Sequence, residues 1–240
     1  MATVQSDTTD VTASVANGRV PPLYAGDHLS RAEFERRYEC MPERCKAELI
    51  EGVVHMPSPV RHRGHSHPHG HLMAWLVIYE ANTPGVASGD NGSTRLDLDN
   101  EPQPDALLII QSECDGQSRI SDDDYVEGAP ELVAEVASSS VSYDLGAKLK
   151  AYRRNGVREY VVWRVLDREI DWFVLRNDQF EAILPGADGI LRSSVFPGLW
   201  LDAAALVRGD LTAAFDALRQ GLESDAHKEF VQRLEQARAQ

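Results

Sequence analysis

The sequence predicts a mixed α/β domain, with strands in the middle of the chain, one helix crossing between them and helices at both ends. The β content comes from short apolar runs of strand length in the middle of the chain, "PDALLII" (104–110), "ELVAEVA" (131–137) and "VREYVVWRV" (157–165). Between the second and third runs lies "SSSVSYDLGAKLKAYRRNG" (138–156), a helical pattern long enough to cross from one strand to the next. Further helical patterns stand at both ends. With 240 residues, 42% apolar and 26% charged, the chain can bury a substantial core.

Element by element, residues 1–27 are rich in Ser, Thr, Asp and Ala without sustained period, and read as a disordered tail. The domain proper is expected over 28–205, with a helical extension over 206–240. "SRAEFERRY" opens it with Ser30 as N-cap and Glu33 three residues on, the spacing of a capping box. "KAELIEGVVHM" reads as two strands turning at Glu51-Gly52. "HLMAWLVIYEAN" places Leu72, Trp75, Leu76 and Tyr79 on one helical stripe. Gly89-Asp90-Asn91-Gly92 is turn chemistry leading into "STRLDLD", which alternates like a strand. "DGQSRISDDDY" is a polar loop. The 138–156 helix carries a stripe of Val141, Leu145, Leu149 and Tyr152 and stops at Gly156. "VREYVVWRV" and "REIDWFVL" then form a strand pair turning near Asp167, and "FEAIL" and "ILRSSVF" are further strand candidates.

The unusual feature is acid inside apolar strands. Alternation puts Leu132, Ala134 and Val136 on one face and Glu131, Val133, Glu135 and Ala137 on the other, so Glu135 shares its face with apolar neighbours. A carboxylate there is costly to desolvate unless something compensates it, and a hard cation such as Mg²⁺ does so through oxygen ligands. Asp105, following Pro104 at the start of its strand, is a second such acid. If the two strands pair, Asp105 and Glu135 come within reach of one cation. Lys148 borders the apolar stripe of the following helix, where it can offset developing negative charge. Taken singly, Glu135 reads as an edge acid and Asp144 with Lys148 as an i,i+4 surface pair. Their combination and order point to a site.

The succession "AELIEG", "PSP" with a following His, "PDALLI", "GAPELVAEVASSS", "DLGAKLKAYRRNGVREYVVW" and "VFPGLWLD" closely resembles the Uma2 family of the PD-(D/E)XK nuclease superfamily, from about residue 28 to about residue 205. The resemblance implies that Asp105 is the Asp of the PD element and Glu135 the strand Glu of the (D/E)XK element. The usual lysine two residues on is replaced by Ala137, and its role passes to Lys148 on the next helix. Glu48 matches the acid of the N-terminal strand and completes the cation site with Asp105 and Glu135. Val161 stands where the family commonly has Trp, a core substitution. The implied fold is a restriction-endonuclease-like α/β core, a mixed central β-sheet flanked by helices, and the implied activity is Mg²⁺-dependent endonuclease cleavage of DNA phosphodiesters, with Mn²⁺ as a substitute. The alternative is an inactive nuclease fold kept as a binding or dimerisation module, with a transition metal on its His-rich segment.

That segment, "RHRGHSHPHGH" (61–71), follows His55 and holds His62, His65, His67, His69 and His71. Pro68 and Gly70 argue against a strand. The expectation is a loop leading into a helix, with His65 near the active-site mouth. A helix starting near Ser66 or His67 would put His67 and His71 at i,i+4, a divalent-ion spacing, but the sequence offers no evident third ligand.

The net charge of −14 argues against a protein that coats nucleic acid non-specifically. One basic strip runs through Lys148, Lys150, Arg153, Arg154, Arg158, Arg164 and Arg168, and reads on its own as a solvated face. No run approaches the roughly 20 apolar residues of a membrane span, the first residues have no signal-peptide pattern, and Cys40, Cys45 and Cys114 form no disulfide or zinc pattern. The expectation is a cytoplasmic protein with a DNA substrate, no membrane partner and a homodimeric assembly.

Overall fold

The computed structural model describes residues 20–42, 45–57 and 61–239. Helix α1 (Arg31–Tyr38) precedes the hairpin of β1 (Glu48–Ile50) and β2 (Val53–His55), whose turn sets Glu51 and Gly52 at φ 55° and 72°. A π-helical turn, His62–Ser66, runs directly into α2 (His67–Ala81). There follow β3 (Val86–Asp90), β4 (Thr94–Arg95), β5 (Ala106–Ile110), β6 (Arg119–Ile120), β7 (Val126–Glu127) and β8 (Leu132–Ala137). Helix α3 spans 141–155 and contains a second π-turn, Asp144–Lys148. The chain ends with β9 (Glu159–Arg164), β10 (Glu169–Arg176), β11 (Gln179–Ala182), β12 (Leu191–Arg192), β13 (Trp200–Leu201), α4 (Ala203–Arg208), α5 (Leu211–Leu222) and α6 (Asp225–Arg238).

The main sheet has the order β11-β10-β9-β8-β5-β3. Only β8 and β9 run parallel in it, and α3 is the crossover that parallel neighbours require. All six residues of β8 are buried because helices cover both faces. On one face Leu132, Ala134 and Val136 join Leu72, Trp75, Leu76 and Tyr79 of α2, and Val161 packs in the same cluster. On the other, Val133 and Ala137 meet Tyr152, with Val141, Leu145 and Leu149 of α3 against them. Gly156, at φ 83°, ends α3 in the left-handed conformation that suits glycine.

Several local expectations differ. Ser30 precedes α1 without a side-chain capping bond, and the Glu33 carboxylate forms ion pairs with Arg36 and Arg37. Gly89 and Asp90 are still in β3, and the turn begins at Asn91, φ 55°. "STRLDLD" forms strand only at Thr94–Arg95, and "ILRSSVF" only at Leu191–Arg192. Of the expected tail, residues 1–19 lie outside the described residues, whereas Leu23 is buried with Phe34 and Leu49. The expected helical extension over 206–240 is not separate: Leu206, Ala214, Leu218, Phe230 and Leu234 belong to the main core cluster. Their apolar stripes cover surface of α2 and the sheet that would otherwise meet water. Among the described residues no helix is long and apolar enough to cross a membrane.

Phe230, 2% exposed and edge-on to Phe196, measures how far the last helix is integral. Phe230→Ala should cost about 3–5 kcal/mol in urea unfolding. A cost below about 1 kcal/mol would mark the C-terminal helices as peripheral.

Candidate active site

The sheet register brings two acids together. β5 and β8 pair antiparallel with Ala106 opposite Ala134, so Asp105, one residue before β5, comes alongside Glu135. The Val136 N–H donates to Asp105 Oδ2 at 2.7 Å, and the Asp105 N–H points at Glu135 Oε2 at 3.5 Å. Glu135 faces α3, as alternation along β8 requires. Glu48 arrives from outside the main sheet, on a hairpin held by reciprocal backbone bonds between Leu49 and Glu101.

Lys148 joins them. Its Nζ donates to Glu135 Oε1 at 2.9 Å and lies 3.0 Å from Glu48 Oε2, with the residue 4% exposed. Tyr152, one turn on, donates its hydroxyl to Glu135 Oε1 at 2.8 Å, and Tyr143 donates to Glu48 Oε1 at 3.2 Å. All four residues singled out in the sequence, Asp105, Glu135, Lys148 and Glu48, thus meet in one place. Ala137, two residues beyond Glu135, is buried in the core beneath α3. Tyr143 and the polar role of Tyr152 do not stand out in the sequence. Tyr152 registered only as part of an apolar stripe, although its spacing from Lys148 was the available signal.

The electrostatics are lopsided. Burial pushes Glu135 well above its ordinary value, and Asp105, Asp144 and Glu48 add to the push while Lys148 opposes it. Burial also raises Asp144. Burial works against the Lys148 charge, but Glu135, Glu48 and Asp144 outweigh it and hold the ammonium well above its usual range. For Asp105, burial is overcome by the His65 hydrogen bond and charge, leaving it below the usual carboxylate range. Four acids, Glu48, Asp105, Glu135 and Asp144, therefore surround one buried ammonium. Hard oxygen donors with an excess of negative charge fit a divalent cation such as Mg²⁺. Among the described residues, however, no three His, Cys, Asp or Glu side chains already converge as an ion's ligands, since Lys148 lies between Glu48 and Glu135.

The histidine segment is helical from His62 onward, not a loop. His65 Nε2 lies 3.0 Å and 3.1 Å from the two Asp105 oxygens, and this contact raises its pKa against the effect of burial. His69 also reaches the site, which the sequence did not anticipate: its Nε2 is 2.7 Å from the Asp105 carbonyl oxygen and 3.2 Å from Asp90 Oδ1. Gly64 permits this approach, because a Cβ there would come within 3.1 Å of Ser138 Oγ, just past β8.

Acids neutralise only part of the basic strip, while Arg153 and Arg158 meet neutral partners and Lys150 and Arg168 are exposed. Lys148 is buried, Arg154 pairs with Glu51, and Arg164 pairs with Asp167, Glu169 and Asp171. Arg153 and Arg158 bond to the Asp178 carbonyl and Gln117.

Lys148→Met would leave Glu135 and Glu48 buried without their cation, at a cost of about 3–5 kcal/mol near neutral pH. Glu135, already held above its unfolded value, would rise further, so the folded variant keeps a proton that the unfolded chain has released. The unfolded chains titrate alike here, so relative to the native protein its stability should fall as pH rises through the already raised value of native Glu135. Urea unfolding at pH 5 and pH 8 should show the larger deficit at pH 8. An equal deficit at both would contradict the charge imbalance.

The chain matches the Uma2 family, described as "Putative restriction endonuclease", over residues 31–204. No curated protein matches it. Among solved structures, a protein described as "a putative nuclease belonging to DUF820" from Anabaena variabilis aligns with a TM-score of 0.54 at 14% identity, over 72% of this chain and 97% of that one. At that identity the likeness is one of fold. The family match, by contrast, runs from α1 to α4 and takes in Glu48, Asp105, Glu135 and Lys148, and on that extent the chain belongs to the Uma2 family.

Proposed function

We propose that this protein is a metal-dependent endonuclease that hydrolyses DNA phosphodiester bonds, with Asp105, Glu135 and Glu48 as the residues that hold Mg²⁺ or Mn²⁺. The observation that carries the reading is the meeting of Asp105 and Glu135, from paired strands, with the buried amine of Lys148. When bound, the cation supplies a water of lowered pKa and neutralises charge on the phosphate. Lys148 provides a fixed positive charge beside the reacting phosphate, pre-oriented by Glu135 and Glu48. Tyr152 and Tyr143 fix the carboxylates in place, so little reorganisation is left for the moment of reaction. His65 and the Val136 amide do the same for Asp105.

The partner is DNA, bound weakly and in a salt-sensitive way given the net charge of −14. A homodimer would bring one site to each strand of a duplex. Free Cys40, Cys45 and Cys114 support a cytoplasmic setting. The second reading, an inactive nuclease fold used for binding or dimerisation, is favoured by one feature: Lys148 already closes Glu48 and Glu135 on itself.

Cleavage of supercoiled plasmid and single-stranded DNA at low salt, with Mg²⁺ or Mn²⁺, decides between them. Native protein should cut, Asp105→Asn and Glu135→Gln should fall to background, and Lys148→Ala should lose about 10²- to 10³-fold, as for one preorganised electrostatic contact. Cleavage that persists in both acid variants would refute the assignment. A folded native protein that neither cuts nor binds Mg²⁺ would establish the second reading.

A further inference from the structure

Acidic residues make up 38 of the 240 positions, yet between Glu51 and Glu80 there is none, the longest acid-free interval in the chain. Arg61 and Arg63 lie within it. The fold sets this interval against the candidate active site.

The π-turn His62–Ser66 is fixed there by its inward residues. His65 holds the Asp105 carboxylate, and Gly64 lies against Ser138, the residue that follows β8. Arg61, His62, Arg63 and Ser66 are exposed. So is His67, whose N–H bonds to the His62 carbonyl and whose ring meets the His62 ring edge-on at 5.4 Å. The Arg61 carbonyl accepts from the His65 and Ser66 N–H groups, which fixes the base from which its side chain extends. Elsewhere this acidic chain spends its arginines on carboxylates, as at Arg95, Arg119, Arg154, Arg164 and Arg192. Arg61 and Arg63 have no side-chain partner of any kind among the described residues.

On the nuclease reading, on which this inference rests, we propose that Arg61 and Arg63 form a phosphate rim that seats the DNA strand beside the carboxylate cluster. A guanidinium presents a planar fork of donors that matches phosphate oxygens. Two of them without acid partners make a local positive surface on a chain whose net charge otherwise repels DNA. The reach is right. Arg63 stands two residues and Arg61 four residues before His65, so their Cα atoms lie within about 7 Å and about 14 Å of the residue that holds Asp105. At about 3.4 Å of rise per nucleotide, that is within about two to four nucleotides of the cut. Contacts of this kind position a duplex and carry no sequence information, so the seating is independent of base sequence.

The test is fluorescence anisotropy of a labelled DNA duplex with the full chain in EDTA, where metal-dependent cutting cannot consume the probe. Affinity is read from about 50 to about 200 mM KCl. Each phosphate contact contributes about 0.9 to the slope of log affinity against log salt, so two arginines account for about 1.8. Over that range the native protein should lose about 10-fold more affinity than the Arg61→Gln, Arg63→Gln double variant, which should also bind more weakly at low salt. Arg168→Gln with Arg208→Gln removes the same charge from exposed positions elsewhere and should keep the native slope. Arg61→Lys with Arg63→Lys should keep it too, and melting temperatures check that each variant folds. A native slope in the Arg61→Gln, Arg63→Gln variant, or an equal loss in the Arg168→Gln, Arg208→Gln variant, would overturn the proposal. So would a native protein that does not bind the duplex. The nuclease reading fails separately: a slope that depends on Arg61 and Arg63 in a protein that never cuts with Mg²⁺ or Mn²⁺ keeps the rim and removes hydrolysis.

Discussion

One buried ammonium organises this molecule's polar interior. Lys148 bridges Glu135 of the central sheet and Glu48 of the N-terminal hairpin, so a single side chain ties α3, the sheet and the hairpin together. Burying it is costly unless both partners are well placed, and the two tyrosines complete the carboxylates' hydrogen bonding. The compensation is incomplete in the other direction. With Asp105 and Asp144 included, negative charge exceeds positive, and the surplus is concentrated where β5 and β8 pair. A fold that had only to be stable would do better with apolar residues there, so the surplus is an argument for function.

Two π-turns deliver side chains to this place. One, Asp144–Lys148, lies inside α3 and supplies its acid and its lysine; the other, His62–Ser66, supplies His65 just before α2. Single π-turns shift the phase of a helix and recur at functional sites. Here the shift lets α3 keep its apolar stripe of Leu145, Leu149 and Tyr152 against the sheet while Lys148 turns inward to the acids. Packing and chemistry are thus served by the same helix without a break in its course.

Much of this was legible in the sequence. Period-2 alternation assigned Glu135 to the α3 face and Leu132, Ala134 and Val136 to the other, because both faces of β8 must be filled. The register that brings Asp105 to Glu135 was inferable only as a pairing of two strands, not as the bond from the Val136 amide. The π-turns were illegible, since spacing rules assume 3.6 residues per turn; this hid His69's approach to Asp105 and the stacking of His62 under His67. The C-terminal helices were set apart because charged residues dominate their final stretch, whereas burial of Phe230 and Leu234 is decided by contacts distant in sequence. The basic strip was visible as local charge and read as a solvated face, but the partners of Arg154 and Arg164, such as Glu51 and Asp171, come from other elements.

On the proposed function, the surplus of carboxylates around Lys148 exists to take a divalent cation. The most direct measurement is the melting temperature of the native protein and of Glu135→Gln across a Mg²⁺ titration. A cation bound only by the folded state should raise the native melting temperature progressively, by an amount set by its concentration over its dissociation constant, and should leave the variant nearly unmoved. Native and variant curves that shift together, or a native curve that does not shift at all, would contradict it.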